Sequence, residues 1–173
     1  MSRLLLILLL ASAPLLAQTP TSPGQHKAPP STANDDKWLA QVSALQNRAR
    51  QILKNELSRN LRPACDGPNL SNAEIGKCIN ADADRTERNY RAFIQALKNS
   101  LAIQPPDVDL RFPIPSKNFA AGEIAWRSYV DKTCEALGDI SYGGSGVPTD
   151  MTICQQDLTR QHMRDLSKIF LEF

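Results

Sequence analysis

Apolar residues recur at helical spacing in four stretches of this chain. In the first stretch, five apolar residues follow one another at alternating steps of four and three: Trp38, Val42, Leu45, Ala49 and Ile52. This spacing indicates a helix from about Asp35 to Arg59, with Asn34 as its cap. The stretch is net basic, so it presents either a surface for an acidic partner or, as we favour, an ordinary solvated face.

The second stretch has the clearest start in the sequence. Ser71 and Glu74 form the pattern of a capping box, and Leu70 and Ile75 occupy the positions of a hydrophobic staple. The apolar stripe that follows continues to Leu101. We therefore predict a long second helix that begins just after Ser71.

Polar residues dominate the middle of this second helix, including three carboxylates: Asp82, Asp84 and Glu87. Paired carboxylates can serve acid–base chemistry. However, three arginines stand three or four residues from them: Arg85, Arg88 and Arg91. We interpret the group as ion pairs on a helix surface.

Two further stretches predict a third and a fourth helix. The third runs from about Phe119 to Leu137, with Asn118 as its cap and Gly138 as its end. The fourth opens at Thr149–Asp150 and carries His162 on its apolar stripe. A lone histidine in that position is more often a core or boundary residue than a catalyst, and we predict the same here.

The segment from Gln104 to Pro115 separates the second and third helices. It contains four prolines, which exclude a helix interior. Its apolar residues alternate, which favours an extended connector: Val108, Leu110, Phe112 and Ile114. With no longer alternating segment in the chain, the sequence predicts an all-α fold, a small helical bundle of three to four helices.

The N-terminus has the pattern of a signal peptide at residues 1–17. Arg3 precedes an unbroken apolar run, Leu4 to Leu10, and small residues follow to Ala17. A bilayer span needs about 20 apolar residues, so we expect cleavage after Ala17 and no stable membrane insertion afterwards. The mature protein would then be exported, to the periplasm or outside the cell.

Three further segments follow the signal peptide. Residues 18–33 are rich in Pro, Ser and Thr, which predicts a disordered linker. Residues 34–60 form the N-terminal amphipathic helix, and residues 61–173 form a helical domain.

Export favours structural disulfides among the four cysteines of the chain: Cys65, Cys78, Cys134 and Cys154. No two of them have zinc-ligand spacing, and the only histidines are His26 and His162. An up-down-up arrangement of the last three helices places all four cysteines at one end of the bundle. The neighbour pairing, Cys65 with Cys78 and Cys134 with Cys154, is slightly favoured because both loops are short to close. The two crossed pairings remain open.

The sequence contains no recognisable constellation for catalysis, metal binding or phosphate binding. The glycine-rich segment Tyr142–Gly146 places Ser145 between glycines, but Val147 stands where a nucleophile elbow needs its second glycine. The net charge of +2 does not point to nucleic acid as a partner. We therefore expect a protein that is not an enzyme and has no catalytic residue, metal ligand or cofactor.

Several motifs together resemble the LprI-like lysozyme inhibitor domain. The most specific are the block Ala125-Trp-Arg-Ser-Tyr-Val-Asp-Lys-Thr-Cys134 and the sequence Gly143-Gly-Ser145 before the last cysteine. The similarity covers about Cys65 to Leu166. The chain departs from the family pattern on the second helix, with other residues at three positions: Ala83, Thr86 and Glu87.

The resemblance implies a helical fold and a protein-binding activity in the bacterial cell envelope. The expected partner is a lysozyme-type muramidase or another envelope protein. The candidate partner-binding loop comprises five residues: Tyr142, Gly143, Gly144, Ser145 and Gly146. Two alternatives are a structural or interaction module of the envelope with a non-lysozyme partner, and a hydrolase with an unrecognised site.

Overall fold

A computed structural model describes residues 33–62, 65, 67, 69–106, 114–140, 144 and 146–172. It contains four helices, α1 (Ala33–Ser58), α2 (Asn72–Ala102), α3 (Pro115–Ile140) and α4 (Val147–Phe170). Within the described residues there is no strand, so the prediction of an all-α bundle is confirmed. The predicted signal peptide, nearly all of the linker, and Val108, Leu110 and Phe112 of the connector lie outside the described residues.

The α2–α4 pair forms the centre of the bundle. These two helices run parallel, since Asn80 lies beside Thr152 and, further along, Thr86 beside Gln156. Helix α1 runs antiparallel to α2, and its Trp38 indole donates a hydrogen bond to the carbonyl of Ile103 at 3.3 Å. Helix α3 runs antiparallel to α4 on another side of the pair. The last three helices thus have the predicted up-down-up arrangement.

One hydrophobic core holds all four helices. Its buried members come from every helix: Ala49, Tyr90, Phe93, Ala96, Leu97, Phe119, Met163, Leu166 and Leu171 just after α4. Partly buried apolar residues surround them: Ile52, Leu53, Ile94, Leu101, Trp126 and Phe170. The N-terminal helix α1 therefore packs into the same unit as the helical domain that follows it.

The start of α2 follows its sequence signal. Ser71 is the N-cap, its hydroxyl accepts from the backbone N–H of Glu74 at 3.4 Å, and the Glu74 carboxylate accepts from the Ser71 N–H at 2.8 Å. The capping box is confirmed. At α1 the predicted cap is wrong, because the helix begins at Ala33 and Asn34 lies inside its first turn.

The bounds of α3 and α4 differ from the prediction. Helix α3 begins at Pro115, because proline at the first helical position gives up only an N–H that has no partner within the helix. Asn118 is therefore not its cap. Helix α4 begins at Val147, two residues before the predicted start, with Pro148 again in the first turn.

Gly138 does not end α3, which continues to Ile140. This glycine is buried against α4, and a Cβ on it would lie 3.0 Å from Sδ of Met151 and 3.1 Å from Cγ1 of Val147. Glycine is suited to this position by its small size rather than by its backbone freedom, because the missing side chain lets α3 and α4 approach closely.

Candidate functional site

Both disulfides lie at one end of the bundle, which we call the disulfide end. The structure joins Cys65 to Cys78 and Cys134 to Cys154, the neighbour pairing. One bridge fastens the segment before α2 to its second turn, and the other fastens the end of α3 to the start of α4. At the same end the Thr152 hydroxyl contacts Oδ1 of Asn80 at 3.2 Å, which links α4 to α2.

The described residues of the candidate partner-binding loop lie at this disulfide end. Of its five residues the structure describes Gly144 and Gly146, whereas Tyr142, Gly143 and Ser145 lie outside the described residues. The carbonyl of Gly144 accepts from the N–H of Val147 at 3.1 Å, and that of Gly146 accepts from the N–H groups of the first turn of α4. Ile140, at the other end of the loop, is 72% exposed.

His162 belongs to a cluster between α2, α3 and α4. Its Nε2 lies 2.9 Å from Oε1 of Glu123, and its ring stacks on the indole of Trp126 with centroids 4.0 Å apart and planes 7° apart. The side chain is largely buried and its polar contact is satisfied. These contacts agree with the interpretation of His162 as a boundary residue.

Tyr90 completes this cluster from α2. It is fully buried, and its hydroxyl donates a hydrogen bond to Oε2 of Glu123. Burial, together with this bond and the Glu123 charge, raises the pKa of Tyr90 well above its ordinary value. The phenol therefore remains a neutral donor that fixes the Glu123 carboxylate between Tyr90 and His162.

A second cluster, the Glu56 network, joins α1 to α2 and α4. Glu56 is fully buried and accepts hydrogen bonds from Arg59 at 2.8 Å, Thr86 at 2.9 Å and Asn89 at 2.6 Å. Burial alone would raise the pKa of Glu56, but these three donors and the Arg59 charge together lower it. From α4, Nη2 of Arg160 donates to the Glu56 carbonyl at 2.9 Å.

Asp82 is the other carboxylate of the Glu56 network. It pairs with Arg59 and accepts from the backbone N–H of Arg62 at 3.2 Å and from Nε2 of Gln156 at 2.9 Å. Burial opposes its charged form, yet the Gln156 bond and the charge of Arg59 lower the pKa of Asp82. The interpretation of Asp82 as a helix-surface ion pair is wrong, because its partners come from α4 and from the segment just after α1.

Glu87 does form the predicted pair along α2, with Nε of Arg91 at 2.6 Å. It also reaches α3, where Nη2 of Arg127 lies 3.2 Å from the same oxygen. Glu87 therefore links α2 to α3 as well as pairing along α2.

Neither a metal site nor a membrane-spanning helix is found among the described residues. No group of three His, Cys, Asp or Glu side chains there is placed to hold a metal ion. None of the helices in that part of the chain is both long and apolar enough to cross a membrane.

The fold and these contacts define a class of molecule, a disulfide-stapled bundle of four helices with buried polar links between them. No family model matches the chain, and no curated protein and no solved structure matches it either.

Proposed function

We propose that this chain is an exported binding protein of the bacterial cell envelope, of the lysozyme-inhibitor type, which acts by contact with another protein. The disulfide end is its binding surface, and the segment Tyr142–Gly146 is the contact loop. The observation that carries the proposal is the Cys134–Cys154 bridge, which ties α3 to α4 across the two ends of this loop.

Export is part of the proposal. The apolar run Leu4–Leu10 and the small residues up to Ala17 support a cleaved signal peptide, and the two disulfides suit an oxidising compartment such as the periplasm or the cell exterior.

Rigid ends reduce the cost of binding through a loop. Besides the Cys134–Cys154 bridge, Gly138 brings α3 into close packing with Met151 and Val147 of α4. A loop held at both ends loses less conformational freedom when it binds, so more of the contact energy appears as affinity.

The loop composition suits a muramidase cleft. Such a cleft presents two carboxyl groups in a polar groove. In the proposed complex, Tyr142 supplies an aromatic anchor, and the Ser145 hydroxyl donates a hydrogen bond to a carboxylate. Ile140 adds exposed apolar area beside the loop.

A titration of the mature protein into several lysozyme types, with cell-wall clearing as the readout, tests this function. We expect slower clearing by at least one type, and a loss of the effect in Tyr142→Ala because buried aromatic anchors dominate interfaces. Ser145→Ala should cost less, about 0.5–1.5 kcal/mol for a neutral hydrogen bond and somewhat more if its partner is a charged carboxylate. Tyr129→Ala is the matched control, an exposed tyrosine on α3 about three turns before its end.

Reduction of the disulfides should weaken the inhibition by releasing the loop ends. If no lysozyme type is slowed at about 50 µM, a concentration that would saturate even a micromolar complex, inhibition is excluded. The alternative, an envelope interaction module with a non-lysozyme partner, would then stand.

A further inference from the structure

A polar cleft of about 370 Å³ opens between α2, α3 and α4 next to the disulfide end. This volume lies within the range of about 300–1,000 Å³ that small-molecule sites occupy. Each helix contributes polar side chains to its walls: Asn80 and Asp84 from α2, Asp131 from α3, and Thr152 and Gln155 from α4. Neither the described loop residues Gly144 and Gly146 nor the Glu123–His162 pair line it.

Trp126 forms the aromatic wall of the cleft. His162, which does not itself line the cleft, stacks on the Trp126 indole with ring centroids 4.0 Å apart, so it covers one face of that ring. Because His162 is itself bonded to Glu123, the indole is held in a fixed orientation.

The charges that line the cleft exclude anionic ligands. Asp84 and Asp131 are exposed, and among the described residues neither has a Lys or Arg nitrogen within ion-pair distance. Arg127 is the one cationic side chain among the described residues that line the cleft, and it is paired with Glu87. Glu87 is also paired with Arg91. The cleft thus carries net negative charge and repels anions.

The remaining groups match the surface of a sugar ring. A hexose has an apolar face of C–H groups, which packs on an aromatic ring, and a rim of hydroxyls, which needs both acceptors and donors. The carboxylates of Asp84 and Asp131 accept, and the amides of Asn80 and Gln155 do both. From this combination we infer that the cleft binds a neutral saccharide with one sugar ring against Trp126.

The two tryptophans of the chain allow a direct test by nuclear magnetic resonance of the mature protein. Trp126 lies at the cleft, whereas the Trp38 indole is bonded to Ile103 at the opposite end of the bundle and serves as an internal control. The probes are chitotriose and cellotriose as neutral trisaccharides, a galacturonate trimer as an anionic one, and trilysine as a cation without sugar rings.

We expect at least one neutral trisaccharide to shift the Trp126 indole resonance saturably while Trp38 stays unchanged, and the anionic trimer to have no effect. Gln155→Ala should weaken this binding about three- to tenfold through the loss of one hydrogen bond, and Asp131→Asn should weaken it by about the same factor because a neutral amide replaces the charged acceptor. Asp139→Asn, an exposed acid on the same helix outside the cleft, should bind like the parent protein.

Three outcomes would overturn the inference. They are the absence of any saturable shift at Trp126, equal shifts at Trp38 and Trp126, and saturable binding of trilysine with the affinity of the sugars. The last result would mean that the cleft recognises positive charge alone. None of these outcomes bears on muramidase inhibition, which is measured with different partners.

Discussion

Helices α1 and α3 flank the same α2–α4 pair but are attached to it in different ways. The described part of α1 contains no cysteine and is anchored through the Glu56 network, a set of buried ionic hydrogen bonds to α2 and α4. Helix α3 buries Phe119, Val130, Cys134 and Gly138, and the Cys134–Cys154 bridge joins it covalently to α4.

The two attachments respond to different conditions. Carboxylates such as Glu56 and Asp82 lose their charge in acid, whereas the Cys134–Cys154 bridge is sensitive to reductants. One small bundle thus holds its two flanking helices by independent means, so each can be loosened with little effect on the other. Four measurements test whether the two attachments are independent.

Removal of the Glu56 charge should have the largest effect. Glu56→Gln removes the carboxylate partner of Arg160 and leaves Arg59 with Asp82 alone, which should cost about 3 kcal/mol of unfolding free energy, the low end for a broken buried pair. Urea unfolding of the oxidised protein measures this loss. Glu135→Gln removes an exposed carboxylate paired with Lys132 and should change stability little. Equal losses in the two variants would contradict the role of the Glu56 network.

Removal of the α3–α4 bridge should come next. The double variant Cys134→Ser/Cys154→Ser should lose about 2–3 kcal/mol, because the unfolded chain regains the freedom that the bridge removed. Hydrogen exchange should then show lower protection in α3 with α1 almost unaffected. The variant Cys65→Ser/Cys78→Ser is the matched control, because its bridge does not involve α3. Equal loss of protection in α1 and α3 would show that the two attachments are coupled.

Acid should weaken the α1 attachment. The pKa values of Glu56 and Asp82 are lowered in the folded protein, so their stabilisation is complete above the ordinary carboxyl pKa of about 4 and is lost as the pH falls through the lower folded values. Thermal unfolding between neutral pH and about pH 3 should show this decline. The slope should be shallower in Glu56→Gln, and an unchanged slope would count against the assignment.

Two glycines of α3 should give the smallest effects, with opposite signs. Gly122 has nothing within 4 Å of an added Cβ, so Gly122→Ala should stabilise the helix by about 0.5–1 kcal/mol. Gly138→Ala gains the same helix propensity but places a methyl group against Met151 and Val147. The net result should be a destabilisation of about 1 kcal/mol. Thermal melts of both variants measure the difference, and stabilisation by both would rule out close packing at Gly138.

Local patterns predicted the helices well and their partners poorly. The capping box at Ser71 depends on residues three positions apart, so it could be identified directly. Gly138 was misinterpreted because the usual rule for glycine at a helix end ignores the approach of α4, which only the tertiary fold reveals.

The polar network had a signal that the sequence analysis missed. Glu56 lies four residues after Ile52, which continues the apolar stripe of α1, and a charged residue on such a stripe needs a buried partner. One partner, Arg59, lies three residues on, where a local rule could name it, but Thr86 and Asn89 lie 30 and 33 positions away and no local rule names them. The saccharide cleft draws its walls from three helices and had no local signal.

The pairing of each cysteine with its neighbour in sequence has a consequence for maturation. Each bridge closes a short segment, with separations of 13 and 20 residues, and the first pair precedes the second along the chain. A chain that enters an oxidising compartment N-terminus first exposes Cys65 and Cys78 before Cys134 and Cys154. Oxidation in the order of emergence then yields the native bridges directly, so a thiol oxidase alone would suffice and no disulfide isomerase would be required.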